Sequence, residues 1–180
     1  MKPKLEIITL DDVRSWRPCD PVESFTFVPP DSSGTVFDIL GCEQLSVDDR
    51  LWLVVRDEVM ELRDIQIFAL RCARRVEHLD ETGIAKRCND VTEQYLRGET
   101  TEAELVAARK TAWGAASAAA WAAGSAAAWG AASAAAWAAA WAAGSAAAWA
   151  AGSAAAWAAD AADDTERNAQ IQILKEILTD

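Results

Sequence analysis

Residues 111–159 read TAWGAASAAAWAAGSAAAWGAASAAAWAAAWAAGSAAAWAAGSAAAWAA, and this stretch decides the fold. It holds 31 Ala, 7 Trp, 5 Ser, 5 Gly and Thr111, without one charge. From Trp113 every fourth residue is Trp or Ser: Trp113, Ser117, Trp121, Ser125, Trp129, Ser133, Trp137, Trp141, Ser145, Trp149, Ser153 and Trp157. The alternation slips once, at Trp137 and Trp141. Ala has the highest intrinsic helix propensity and no Pro interrupts the run. The expectation is one very long Ala/Trp-rich helix over residues 102–178, on the order of 115 Å at 1.5 Å per residue. Each Gly costs roughly 1 kcal/mol against Ala, so bends are expected at the Gly-Ser pairs 124–125, 144–145 and 152–153.

The period of four sets the surface of that helix. A residue turns the helix by about 100°, so each step of four overshoots a full turn by about 40°. Over the eleven steps from Trp113 to Trp157 the line drifts by roughly 440°, a spiral in the right-handed sense and not a straight stripe. Each Trp buries on the order of 150–250 Å² when covered, and seven of them exceed the apolar patch usual for a soluble monomer. Trp113, Trp121, Trp129, Trp137, Trp141, Trp149 and Trp157 are therefore the candidate interface, in a homo-oligomer or with a protein partner, a fold-back of the helix on itself being the other way to cover them. The Ala and Gly between them allow close helix approach. A membrane span is not the preferred reading, because Leu, Ile, Val and Phe are absent and Gly and Ser subtract. An ice-binding face would have to be flat, and this line spirals.

Outward from the repeat, the rest of the 180-residue chain is ordinary globular sequence. Asp160–Glu166 gives an acidic exit, and Ile171, Leu174, Ile177 and Leu178 form an amphipathic end expected to dock on another helix. Upstream, Thr101 and Glu104 make a capping box at the start of the long helix. Ile84, Cys88, Val91 and Tyr95 repeat at helical spacing up to Gly98. Ile65, Phe68, Cys72, Val76 and Leu79 share a second helical face, with Arg63, Arg71, Arg74 and Arg75 largely off it and read as solvated, an acid-recognising patch being the alternative. Ser46 with Asp49 caps a further helix carrying Leu51, Trp52, Val54 and Val55. Val36–Leu40, closed by Gly41, is a short helix. These elements make a small helical head over residues 35–98. Residues 1–34 read as a weakly ordered N-terminal segment, with a short helix from Thr9 to Trp16, a run of strand character at Ser24–Val28, and turn signals at Pro18, Pro21, Pro29 and Pro30. The fold class is all-α.

Charge and chemistry narrow the function. The 17 basic and 28 acidic residues give a net −11, all of it outside the Ala/Trp segment. Nucleic-acid binding needs clustered Lys and Arg and is not expected. No signal sequence is recognisable, so a cytoplasmic location is expected. Cys19, Cys42, Cys72 and Cys88 contain no C-x-x-C pair, so neither a metal site nor a redox pair is indicated. Cys72 and Cys88 fall on apolar helix faces and read as buried thiols. His78, the only histidine, ends a helix, where the dipole favours it. His78, Asp90 and Glu93 are the acid–base candidates for an enzyme, but nothing places them together. No cofactor is implied, and an enzyme is not expected.

Leu51-Trp52-Leu53 with Arg56-Asp57-Glu58, Phe68-Ala69-Leu70-Arg71-Cys72-Ala73, and Tyr95-Leu96-Arg97-Gly98-Glu99-Thr100-Thr101 leading through Glu104-Leu105 into Ala tetrads together resemble a group of Ala-rich phage and bacterial proteins. Some of these are labelled immunity proteins. The likeness covers about residues 42–180 and implies an all-helical fold, no established activity and no functional residues to carry over. Relatives place Arg, Asp or Glu among their tetrads, whereas residues 111–159 have none. The expected function is thus a non-enzymatic interaction protein of phage or phage-derived origin acting through the Ala/Trp helix. The alternative is an immunity-type protein that neutralises a toxin by direct binding, its acidity suiting a basic target.

Overall fold

Two threonines start the molecule's first helices in the same way. The Thr9 hydroxyl accepts the Asp12 N–H at 3.2 Å while Asp12 accepts the Thr9 N–H at 2.8 Å. Thr35 and Asp38 repeat the reciprocal pair at 3.1 and 2.9 Å. Each pair satisfies amide donors that the first turn of a helix leaves free. The computed structural model, which describes residues 3–16, 33–123 and 164–179, shows why the two caps lie near each other. Strand β1 (Ile7–Thr9) pairs antiparallel with β2 (Ser33–Thr35), Ile8 opposite Gly34, and helices α1 (Leu10–Ser15) and α2 (Val36–Gly41) follow them directly.

The described residues are therefore mostly helical, as the sequence suggests, with one small two-stranded sheet that an all-α fold would lack. Ile8 and Val13 are buried in the core of the head, so part of the segment 1–34 belongs to the head. A three-residue strand is too short to show a period of its own, and its partner is remote in sequence. The run Ser24–Val28 lies outside the described residues.

The remaining elements follow the hydrophobic spacing. Helix α3 (Val47–Val54) is capped by Ser46, whose hydroxyl accepts the Asp49 N–H at 3.0 Å. Helix α4 (Leu62–Val76) buries Ile65, Phe68, Cys72 and Val76 on one face and passes into a 3-10 turn at Glu77–Leu79 that carries His78. Helix α5 (Ile84–Arg97) lies between Gly83 at φ 68° and Gly98 at φ 77°, both left-handed positions that glycine adopts without steric cost. Gly83 thus stands at the entry to α5, while α4 has already ended at Val76. Helices α6 (Glu102–Ala123) and α7 (Asp164–Thr179) complete the description.

Two apolar clusters hold these helices. The larger gathers Ile8, Val13, Ile39, Leu40, Leu53, Val54, Phe68 and their neighbours from α1 to α4. Five side chains of α7 enter the same cluster: Ile171, Ile173, Leu174, Ile177 and Leu178. Helix α7 lies against α4, α3 and α2, with an Arg71–Glu176 ion pair at 3.1 Å on its exposed side. The amphipathic end read from the sequence docks here. The smaller cluster joins α5 to α6 through Ala85, Cys88, Leu105 and Ala112.

The long helix expected over 102–178 is not shown as one element, and its two ends both lie against the head. Helix α6 leaves the head beside α5, and α7 is seated on the same head. A compact unit of about 100 residues has a radius of gyration near 13 Å, far too small to meet both ends of a rod about 115 Å long. Among the described residues the chain is helical over α6 and again over α7. Residues 124–163, with the Gly-Ser pairs, lie outside the described residues.

One buried group stands against the fold. Asp64, in the first turn of α4, is 2% exposed, and its Oδ1 has no hydrogen-bond partner among the described residues. Burial pushes its carboxyl above the ordinary range. A raised folded value means that the folded chain prefers the proton, so stability falls as pH rises from the unfolded value toward the folded one. Asp64→Asn is expected to flatten that slope and to leave the variant more stable than the parent at pH 7. Thermal melts from pH 4 to 8 would show it; parallel curves for the two proteins would refute the effect.

Candidate interaction surface

Helix α6 starts at the capping box read from the sequence. Glu104 accepts the Thr101 N–H at 3.0 Å, and the Thr101 hydroxyl accepts the Glu104 N–H at 3.3 Å. The hydroxyl of Thr100 also donates to Glu104, and these bonds together hold its carboxyl down to about 2. Leu105, Ala108 and Ala112 then face α5. On a helix turning about 100° per residue these three lie within roughly 60° of one another.

Trp113 follows Ala112 by one residue, so its position lies about 100° away from the α5 contact. Ala112 is fully buried, whereas Trp113 is 51% exposed. Position 121 is about 180° from Ala112, on the side opposite α5. The tetrad line thus departs from the flank of the α5 contact and crosses to the far side of α6 within two turns. For Trp121 only the backbone position is described. Trp129, Trp137, Trp141, Trp149 and Trp157 lie outside the described residues.

The acid–base candidates are engaged elsewhere. Arg74 of α4 reaches across to α5, donating to Asp90 at 2.7 Å, to Glu93 at 2.6 Å and to Glu77 at 3.2 Å. Lys86 holds the other oxygen of Asp90 at 2.7 Å, Arg97 pairs with Glu93, and Asn89 donates to Glu77 at 2.8 Å. Burial opposes charge on Arg74, yet its bonds to Asp90 and Glu93 outweigh that and raise its pKa. Burial likewise pushes the Asp90 carboxyl up, and Lys86 and Arg74 more than reverse it, so the group lies below its usual range. A carboxylate held ionised by two cations is a poor proton donor or acceptor near neutrality. His78 sits exposed on the 3-10 turn. Arg74, read from spacing as a solvated side chain, is the hub joining α4 to α5.

Two further features escaped the sequence reading. Asp80 accepts from the Thr82 N–H at 3.0 Å, the Thr82 hydroxyl at 2.6 Å and the Ala85 N–H at 2.7 Å, which caps α5 from outside. Its signal is local, an Asp two residues before a Thr at a helix entry. The guanidinium of Arg56 lies over Trp16 at 4.5 Å and Trp52 at 4.7 Å, with Glu58 at 3.4 Å. The two indoles meet edge to face at 6.3 Å. This stack fastens the end of α1 to α3; Trp52 and Arg56 lie four residues apart in one segment, whereas Trp16 comes from a remote one and has no local signal. Two indoles outside the tetrads are thereby sheltered by a cation of the same chain.

Cys72 and Cys88 are buried thiols and Cys42 is a half-buried one, and none of the three forms a disulfide. Burial pushes Cys88 up to about 12, far from a reactive thiolate. Cys19 lies outside the described residues. Among the described residues no group of three or more His, Cys, Asp or Glu side chains could hold a metal ion, and no helix is long and apolar enough to cross a membrane. No family model, curated protein or solved structure matches the chain.

Proposed function

We propose that this protein is a non-enzymatic interaction protein that self-associates through the Ala/Trp helix, beginning at Trp113. The observation that carries the reading is the 51% exposure of an indole one residue beyond a fully buried alanine. Helix α6 has spent its Leu105–Ala112 face on α5. Its tetrad line turns toward the side the head does not cover, where the Ala and Gly between the indoles admit a second helix closely. The engagement of Asp90 and Glu93 by Arg74 supports a role without acid–base chemistry.

Light scattering during size-exclusion chromatography tests the reading. The expected mass is at least twice the 19.4 kDa of one chain, with indole fluorescence poorly quenched by acrylamide. Trp113→Ala is expected to weaken association by roughly tenfold, the loss of one aromatic anchor being worth about 1–2 kcal/mol at an interface. A monomer with freely quenched indoles would refute self-association. A monomer that forms a salt-sensitive complex with a basic protein would favour the toxin-neutralising alternative, for which the net −11 is the supporting feature.

A further inference from the structure

We infer that the first turns of α6 pair with those of a second copy in antiparallel orientation, Glu102 of each chain facing the partner's Arg109. The inference rests on the self-association reading above and names the orientation of the pair and the contacts that set it.

Four residues make the stripe on which the copies meet. Glu102, Val106, Arg109 and Trp113 follow at steps of four, three and four, so they lie within about 60° of one another on the helix. The stripe is centred about 90° round from Ala112 and clears the face spent on α5. Glu102 and Trp113 are exposed, and Val106 and Arg109 are half-buried. Other charges nearby are matched within the chain: Arg74, Lys86 and Arg97 hold Asp90 and Glu93, and the Thr100 and Thr101 hydroxyls hold Glu104. Among the described residues, nothing pairs with Glu102 or Arg109.

The order of charge along the stripe selects the orientation. The acid stands in the first turn of α6 and the cation two turns later. Two stripes laid in the same direction set Glu102 level with Glu102 and Arg109 level with Arg109. Reversed, each acid meets a cation, and it does so twice, because in a two-fold interface residue i meets j and j meets i. Complementary charge fixes register and orientation more than it adds affinity. The apolar gain falls to Val106 and Trp113. Trp113 lies one turn beyond Arg109, about 6 Å, which carries it past the start of the partner's α6 to the turn at Gly98 and Glu99. Both residues of that turn are exposed, and a Cβ at Gly98 would meet nothing within 4 Å, so there is room for an indole. The pairing thus covers the ring that the head leaves 51% exposed.

Charge reversal tests the orientation, with association followed by light scattering over a dilution series. Glu102→Lys is expected to weaken association roughly tenfold, the scale for turning two exposed ion pairs into repulsions. The same change moves the net charge two units toward zero from −11, which by itself would ease repulsion between copies. Arg109→Glu is expected to weaken association likewise. An equal mixture of the two variants should regain the parent's affinity, since every facing pair again joins an acid to a cation. The double variant should associate with itself as the parent does, yet native mass spectrometry of its mixture with the parent should show mostly like-with-like dimers. A parallel pair gives the reverse: single changes without effect, and preferential mixing of parent with double variant. Either of those results overturns the antiparallel pairing and leaves self-association standing, as does a mixture of folded single variants that regains nothing. A parent that stays monomeric refutes both. Circular dichroism checks the fold of each variant, and Glu102→Lys, at an exposed position, decides alone if Arg109→Glu does not fold.

Discussion

Leu174→Ala is expected to destabilise the protein by about 2–5 kcal/mol, the range for truncating a fully buried leucine in a core that relaxes only in part. Leu174 is fully buried, at the centre of the α7 face that meets the head. Removing its branched end both forfeits apolar contact and leaves a cavity. The loss falls on the head and α7 together, because Ile39, Leu53 and Phe68 share the cluster. Urea unfolding would show a lower midpoint with little change in slope. A change below about 0.5 kcal/mol, the size typical of an exposed site, would mean that α7 is not seated where the structure places it.

Arg74→Met is expected to cost about 2 kcal/mol. Breaking a fully buried pair costs about 3–5 kcal/mol; Asp90 and Glu93 keep solvent contact, which lowers the figure. Methionine keeps the stem of the side chain and removes only the charge and its bonds, leaving Glu77, Asp90 and Glu93 as neighbouring acids. The sign with pH follows from Asp90, whose folded carboxyl lies below its ordinary value. Its contribution is complete above the unfolded value of about 3.9 and is lost as pH falls through the lower folded value. The parent should therefore lose stability in that acid window more steeply than Arg74→Met does, although Lys86 preserves part of the slope. Chemical unfolding at pH 3 and pH 7 compares the two. Combining Arg74→Met with Asp90→Asn should cost less than the sum of the single changes, since the residues share one network. Additive losses would show that Arg74 does not act through Asp90.

What could be read without coordinates is what local physics encodes. The capping box at Thr101, the N-cap at Ser46, the helix end at Gly98, and the apolar faces of α4, α5 and α7 all rest on spacings of three and four residues or on a side chain reaching its own helix end. The strand pairing of Ile8 with Gly34 and the approach of Trp16 to Arg56 and Trp52 join segments with no shared period, so no window along the chain displays them. Arg74 was legible as a charge off the apolar face; its partners on α5 were not, because the angle between two helices is set by packing.

The Ala/Trp segment marks the same boundary from the other side. Propensity alone declares a long helix, and the four-residue period alone declares that its indoles spiral, since both are properties of one helix in isolation. Helix α6 keeps that promise as far as Trp113, where the line leaves the α5 contact. Where the chain's end is seated is another matter. Five apolar side chains of α7 bury themselves in a cluster with Ile39, Leu53 and Phe68, more than a hundred positions away. Helical tendency is a sum over near neighbours, whereas the docking of α7 is decided by surfaces that exist only once the head has formed.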